Sequence, residues 1–207
     1  MRSLIRSFLP SCVVILLGGG ALWVATDGFH AFTEEAARRL YVAENKPEIP
    51  SLMLEDMHGD ATKLSQKTGL SEKITLVEFI YTTCLTICQS AGSEYAKLRD
   101  QISEAGLEDR VRLLSISFDP VLDTPRQMRG YAENHGADGA IWTIARVSER
   151  DLSLMKRSFG LRIIPDEFGG YQHNAAIHLI DQSGRLAGIF NTNNTEEVLR
   201  GVKSKLR

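Results

Sequence analysis

Two cysteines that stand four residues apart indicate the chemistry of this chain. Cys84 and Cys88 are two of three cysteines among 207 residues, and the third lies in an apolar N-terminal segment. They follow the β-branched and aromatic run Ile74–Ile80, which predicts a buried strand, and they precede residues 90–103, whose apolar positions recur at helical spacing. A dithiol on such a strand-to-helix turn lies close to the positive end of the helix dipole, which favours thiolate over thiol. Two converging thiolates form a disulfide or bind a soft metal.

Strands and helices alternate on both sides of this dithiol turn. Before it, short apolar runs flank a turn at His58 and Gly59 and predict a hairpin over residues 52–64. After it, Thr124, Pro125 and Gln127 form the start signal of a helix, with threonine as the cap and proline in the first helical position. Further strands are predicted over residues 111–118, 141–145, 177–180 and 186–190, and further helices over 148–159 and 195–206. This order predicts an α/β, thioredoxin-like fold with an extra N-terminal hairpin, preceded by one N-terminal transmembrane helix.

The N-terminal segment has the pattern of a membrane anchor. Arg2 and Arg6 precede an uncharged apolar run over residues 8–25, and the basic side of such a segment stays in the cytoplasm. We therefore expect an anchor or uncleaved signal over residues 1–27, a stalk and linker over 28–50, and a thioredoxin-like domain over 51–207. A short helix is expected at residues 32–42 of the stalk. The domain is expected outside the cytoplasm, on the periplasmic side of an inner membrane.

Composition excludes some classes of function. The net charge of −2 supplies no basic face for phosphate groups, so nucleic acid is not expected as a partner. Three cysteines are too few for a disulfide scaffold. Cys84 and Cys88 are therefore expected to have a redox or metal-binding role rather than to form a structural disulfide. We expect a monomeric soluble domain.

Two of the five histidines are candidates for joining the cysteines. His30, His58 and His135 lie beside the membrane segment, at a hairpin tip and at a helix end, which are structural or solvent-facing positions. His173 and His178 flank the start of a predicted core strand. Because their separation is odd, a regular strand would place their side chains on opposite faces, so at most one of them faces the dithiol.

Motifs spread over the domain resemble the SCO/SenC family of copper-handling thioredoxin-fold proteins, many of which have a single N-terminal membrane anchor. The family pattern comprises a Cys-x-x-x-Cys pair, a downstream aspartate loop and a distal histidine before a strand. The matching stretches in this chain are residues 79–88, Ser117-Phe118-Asp119-Pro120 with Asp123-Thr124-Pro125, and His173 ahead of Leu179-Ile180-Asp181. Family members commonly have proline after each cysteine, where this chain has Leu85 and Gln89.

The resemblance implies a copper ion held by Cys84, Cys88 and His173, with Asp119 as a nearby acidic residue. Two thiolates and one imidazole make a soft set of three ligands that suits Cu(I). Zinc would need a fourth ligand, for which Asp119 is the candidate. His178 falls where the family often has tyrosine, and the roles of Asp119 and His178 stay open.

Two functions use these residues. The first is a membrane-anchored copper metallochaperone that delivers Cu(I) to an oxidase subunit for assembly of the cytochrome c oxidase copper centre. The second is an enzyme, a thiol-disulfide oxidoreductase that acts on cysteines of an exported partner protein, with Cys84 and Cys88 as its redox pair. Copper binding requires His173, whereas disulfide exchange does not.

Overall fold

The computed structural model describes residues 2–64, 73–83, 87–167 and 169–206, without the side chains of residues 2–9, 11, 12 and 87–91. The chain forms two compact units, Met1–Asn45 and Lys46–Arg207. The predicted division into residues 1–27, 28–50 and 51–207 stays a prediction. In chain order the elements are α1 (Arg2–Ala25), α2 (Glu34–Asn45), β1 (Leu52–Asp56), β2 (Ala61–Leu64), β3 (Ile74–Ile80), α3 (Ile87–Glu104), β4 (Val111–Ser117), α4 (Pro125–His135), β5 (Trp142–Val147), α5 (Glu149–Phe159), β6 (Ile163–Pro165), β7 (Tyr171–His173), β8 (Ile177–Ile180), β9 (Leu186–Phe190) and α6 (Thr195–Lys205).

The N-terminal unit consists of α1 and α2. Within the described ranges, no helix combines the length and apolar character needed to cross a membrane. The transmembrane helix expected over residues 8–25 is not supported by this finding, although the whole segment lies within α1. The helix α2 extends the predicted helix at residues 32–42, and Thr33 caps it by accepting a hydrogen bond from Ala36 N at 3.0 Å.

The second unit is built on a seven-stranded sheet of order β2-β1-β5-β4-β3-β8-β9. The central strands β3, β4 and β5 are parallel, and the outer strands pair antiparallel. All seven residues of β3 are buried, as expected for a strand covered on both faces. The predicted hairpin before the cysteines is confirmed as β1 and β2, whose register joins Leu52 to Leu64 and Glu55 to Ala61.

Helices cover both faces of the sheet. One face packs against α3, α4 and α6 around a core that includes Leu76 of β3, Leu98 of α3 and Trp142 of β5. On the other face, Phe79 of β3 contacts Phe159 of α5, with ring centroids 5.0 Å apart. The alternation of Leu76 and Phe79 between faces follows from the two-residue period of a strand. The start signal of α4 is confirmed, because the Thr124 side chain accepts a hydrogen bond from Gln127 N.

Two local features differ from the sequence-based expectation. Residues 163–173 contain a small two-stranded sheet, β6 paired with β7, where no strands are predicted. Strands of three residues, one of which ends in Pro165, are too short to show a two-residue period. The linker also packs on the domain: Leu186 N donates to Pro47 O at 2.9 Å, and Arg185 forms an ion pair with Glu48 at 3.0 Å.

Candidate metal centre

The dithiol turn begins where β3 ends. Tyr81, Thr82 and Thr83 follow Ile80 directly, and they are the last described residues before Cys84. Cys84 lies outside the described residues. The backbone of Cys88 belongs to the first turn of α3, and its side chain lies outside the description. Among the residues that the structure does describe, no group of three or more histidine, cysteine, aspartate or glutamate side chains could hold a metal ion.

Asp123 fixes the segment that leads to Cys84. Its carboxylate accepts hydrogen bonds from Thr82 N at 2.9 Å, from Thr82 Oγ1 at 2.5 Å and from Ser117 Oγ. Asp123 is fully buried, and burial raises the pKa of its carboxyl against the opposing effect of these hydrogen bonds. Because Asp123 lies just before α4, the start of that helix and the end of β3 are joined at this point. The chain is therefore held two residues before the first cysteine.

Asp119 lies in the loop between β4 and α4. Its backbone N donates to Ser117 Oγ at 3.0 Å, and its Oδ1 accepts from Leu122 N at 3.2 Å. The loop is tied to the sheet by Arg146, whose Nη1 donates to Pro120 O at 2.7 Å. Asp119 is buried, and its negative charge raises the pKa of the Tyr171 hydroxyl on β7. Its carboxylate thus combines a loop-capping role with a position beside the strand that carries His173.

His173 is the last residue of β7. It lies against Phe118, at the start of the loop between β4 and α4. Its ring contacts Phe118 edge-on, with centroids 5.1 Å apart. Its Nδ1 is buried, and within the described part of the chain it has no hydrogen-bond partner. Burial lowers the pKa of the imidazole, which favours the neutral ring. A neutral imidazole with a buried, unpaired nitrogen has the properties of a metal ligand.

Aromatic rings connect His173 to the start of the dithiol turn. Tyr81 contacts Phe118 and Tyr171, with ring centroids 5.4 Å and 5.2 Å apart, and Phe118 in turn contacts His173. The structure therefore brings His173, Asp119 and the residues immediately before Cys84 to one end of the sheet. This is the carboxyl end of the parallel strands β3 and β4, where ligand sites of α/β proteins commonly form.

His178 has a different environment. It is 1% exposed in β8, and its ring packs edge-on against Phe79 at 5.2 Å and Phe159 at 5.5 Å between centroids. His173 and His178 do not share one regular strand, because residues 174–176 between β7 and β8 are not in a strand. The alternation that we expected from their odd separation therefore does not apply. His178 lies among aromatic rings of the core next to α5.

Two residues of this site have no chemical role in the sequence-based prediction. Asp123 and Tyr81 appear there only within the stretches that resemble the family. Both act through partners far along the chain, since Asp123 binds a residue 41 positions away and Tyr81 binds one 90 positions away. No local pattern carries such contacts.

Comparison with known proteins identifies the family. The SCO1/SenC family model matches residues 50–207. Among solved structures, a SCO1/SenC family lipoprotein from Bacillus anthracis is 23% identical, with a TM-score of 0.70 over 79% of this chain and 97% of the other. ScoI from Bradyrhizobium japonicum, solved with copper bound, is 25% identical, with a TM-score of 0.59 over 76% of this chain and 99% of the other.

A third structure is that of BsSco, described as having a disulfide switch and as a member of the Sco family of cytochrome c oxidase assembly proteins. It is 22% identical, with a TM-score of 0.65 over 77% of this chain and 93% of the other. These likenesses confirm the mixed α/β, thioredoxin-like fold. Since the family model spans most of the chain, including every strand of the seven-stranded sheet, the chain belongs to the SCO1/SenC family.

Proposed function

We propose that this protein is a copper metallochaperone that binds Cu(I) through Cys84, Cys88 and His173. In this role it delivers copper to an oxidase subunit during assembly of the cytochrome c oxidase copper centre. Copper is cargo, which the protein must bind firmly and then release. The copper-bound relative from Bradyrhizobium japonicum and the oxidase-assembly family of BsSco support this assignment.

The environment of His173 is the observation that carries the proposal. Buried polar atoms in proteins nearly always have a hydrogen-bond partner, and an exception requires an explanation. His173 Nδ1 is such an exception among the described residues. A bound metal ion would satisfy this nitrogen. The aromatic contacts of Phe118 with His173 and with Tyr81 link the ring to the segment that enters the cysteine pair.

The surrounding chemistry suits Cu(I) rather than a hard cation. Thiolate and imidazole are soft and borderline ligands, and three of them satisfy Cu(I) without a further oxygen ligand. The lowered pKa of His173 leaves its imidazole neutral at neutral pH, so protons do not compete with the metal for it. Cys88 belongs by its backbone to the first turn of α3, where the helix dipole favours a thiolate.

We also place the working domain outside the cytoplasm, on the periplasmic side of an inner membrane. The basic and then apolar order of the N-terminal residues supports export, and one family relative is a lipoprotein. The apolar side chains of α1 from Val13 to Leu17 are exposed and suited to contact with lipid. The monomeric state of the domain stays a prediction, which sedimentation of the purified protein checks.

The test is Cu(I) affinity of the reduced full chain, measured by competition with a chromogenic Cu(I) chelator. We expect one Cu(I) per chain and at least about 10-fold weaker binding after His173→Ala, because one of three ligands is lost. His58→Ala is the matched control, since His58 is exposed at the hairpin tip. Equal affinity of the wild type and His173→Ala would remove His173 from the site.

The variants His173→Ala and His58→Ala also distinguish the metallochaperone from the second candidate function. A thiol-disulfide oxidoreductase needs Cys84 and Cys88 but not His173, so His173→Ala would leave disulfide exchange with a model substrate unchanged. The disulfide switch of BsSco is the observation that favours this candidate. Stoichiometric Cu(I) binding that depends on His173 supports the metallochaperone.

A further inference from the structure

The β6–β7 hairpin that carries His173 is separate from the seven-stranded sheet. Asn174 closes its base, because Oδ1 accepts from Arg162 N at 2.7 Å and Nδ2 donates to Gly160 O at 3.0 Å. Asp166 closes its tip, where its backbone N donates to Gly170 O at 2.9 Å. These bonds hold the hairpin together but do not set its distance from the dithiol turn.

The hydroxyl of Tyr81 connects the hairpin to the chain that leads into the dithiol turn. Asp166 and Gly170 form a hydrogen-bonded pair, so the next pair along the strands, Pro165 and Tyr171, directs its backbone groups away from the hairpin. Tyr81 Oη donates to Tyr171 O at 3.2 Å and accepts from Tyr171 N at 3.1 Å. One hydroxyl thus satisfies both outward-facing backbone groups of Tyr171.

The local geometry leaves room for this contact. A Cβ atom at Gly170 would lie 3.0 Å from Tyr81 Oη and 2.9 Å from Asp166 Oδ2, so a larger residue there would push the hydroxyl away. The Tyr81 side chain is itself buried, at 5% exposure. On the other side of Tyr81, the adjacent Thr82 is bound by Asp123. Tyr81 is therefore fixed from the sheet side and in turn fixes the hairpin.

We propose that the Tyr81 hydroxyl is a positioning group for the metal site: it sets the distance between His173, two residues beyond Tyr171, and the chain that enters Cys84. This inference rests on the proposed function, since it concerns the ligand role of His173. Tyr81 acts through His173 and does not itself bind the metal. Removal of the hydroxyl leaves the ring contacts with Phe118 and Tyr171 in place but removes both hydrogen bonds to the Tyr171 backbone.

The test compares Tyr81→Phe with the wild type in the full chain, using two measurements. Amide hydrogen exchange at Tyr171, read by NMR on the metal-free protein, reports the hydrogen bond directly, and we expect exchange about 10-fold faster in the variant. Cu(I) affinity, measured by chelator competition, should fall about 10-fold, as is typical when a group that orients a ligand is lost.

Two further variants show whether the effect passes through His173. In a His173→Ala background, Tyr81→Phe should change Cu(I) affinity by less than about 2-fold, because coupled groups are not additive. Tyr95→Phe is the matched control: it removes another buried hydroxyl, which donates to Leu76 O at 2.5 Å on the α3 side of the sheet. We expect Tyr95→Phe to leave Cu(I) affinity and Tyr171 exchange unchanged.

Each outcome decides the proposal. Unchanged exchange at Tyr171 in Tyr81→Phe would overturn the link between Tyr81 and the hairpin, whether or not copper binds. Faster exchange with unchanged Cu(I) affinity, or an equal loss in the His173→Ala background, would overturn the positioning role. If the wild type bound no Cu(I), the proposed function would fail and the positioning role with it, and the exchange rates would still show whether the hydroxyl holds the hairpin.

Discussion

Glu78 gives the domain a stability that depends steeply on pH. It lies within β3, only 3% exposed, and Ser115 Oγ donates to its Oε1 at 2.5 Å. Ser115 Oγ also accepts from Trp142 Nε1 at 2.8 Å. Burial raises the pKa of the Glu78 carboxyl from 4.5 to about 8, although the bond from Ser115 opposes this rise. The folded protein therefore holds this proton at a pH where the unfolded chain has released it.

The sign and size of the effect follow from proton linkage. The folded state binds more protons than the unfolded state between pH 4.5 and about 8, so the free energy of unfolding falls as pH rises through this window. The slope approaches about 1.4 kcal/mol per pH unit in the middle of the window and flattens at both ends. From pH 5 to pH 7.5 we expect a loss of about 3 kcal/mol from Glu78 alone.

The substitution Glu78→Gln removes this loss while keeping a side chain of the same shape with an oxygen that accepts from Ser115. We expect the variant to gain about 3 kcal/mol over the wild type between pH 5 and pH 7.5, measured by urea unfolding of the reduced protein. Glu133→Gln, at an exposed position of α4, controls for the loss of one negative charge. Parallel curves for the wild type and Glu78→Gln over this interval would refute the reasoning.

Two further predictions concern the dithiol and its cellular role. Under oxidising conditions Cys84 and Cys88 should form an intramolecular disulfide that abolishes Cu(I) binding, since the metal needs free thiolates; mass spectrometry after alkylation checks this, and two alkylated thiols at these positions would contradict it. A deletion strain should lose assembled cytochrome c oxidase and regain it with added copper by mass action. Rescue by a permeant thiol reductant but not by copper would instead favour the oxidoreductase, and normal oxidase would point to another exported recipient.

The core elements could be predicted because their signals are local. The β-branched run of β3 reads as a buried strand, and Thr124, Pro125 and Gln127 mark the start of α4 through bonds within one turn. The β6–β7 hairpin could not be predicted, since its strands of three residues depend on Asn174 at the base and Asp166 at the tip. The predicted transmembrane helix is not supported: residues 8–25 lie in α1, but no helix in the described part of the chain is both long and apolar enough to cross a membrane.

The groups that hold His173 in place could not be predicted from sequence patterns, for a different reason. Phenylalanine at position 81 would continue the apolar run at the end of β3 as well as tyrosine does, so hydrophobic periodicity carries no information about the hydroxyl. The hydroxyl becomes meaningful only when Tyr171, 90 residues later, presents backbone groups that its own hairpin leaves unpaired. That requirement arises from the strand pairing of Pro165 with Tyr171. The sequence can therefore suggest His173 as a ligand, whereas the groups that hold it in place emerge from the pairing of distant segments.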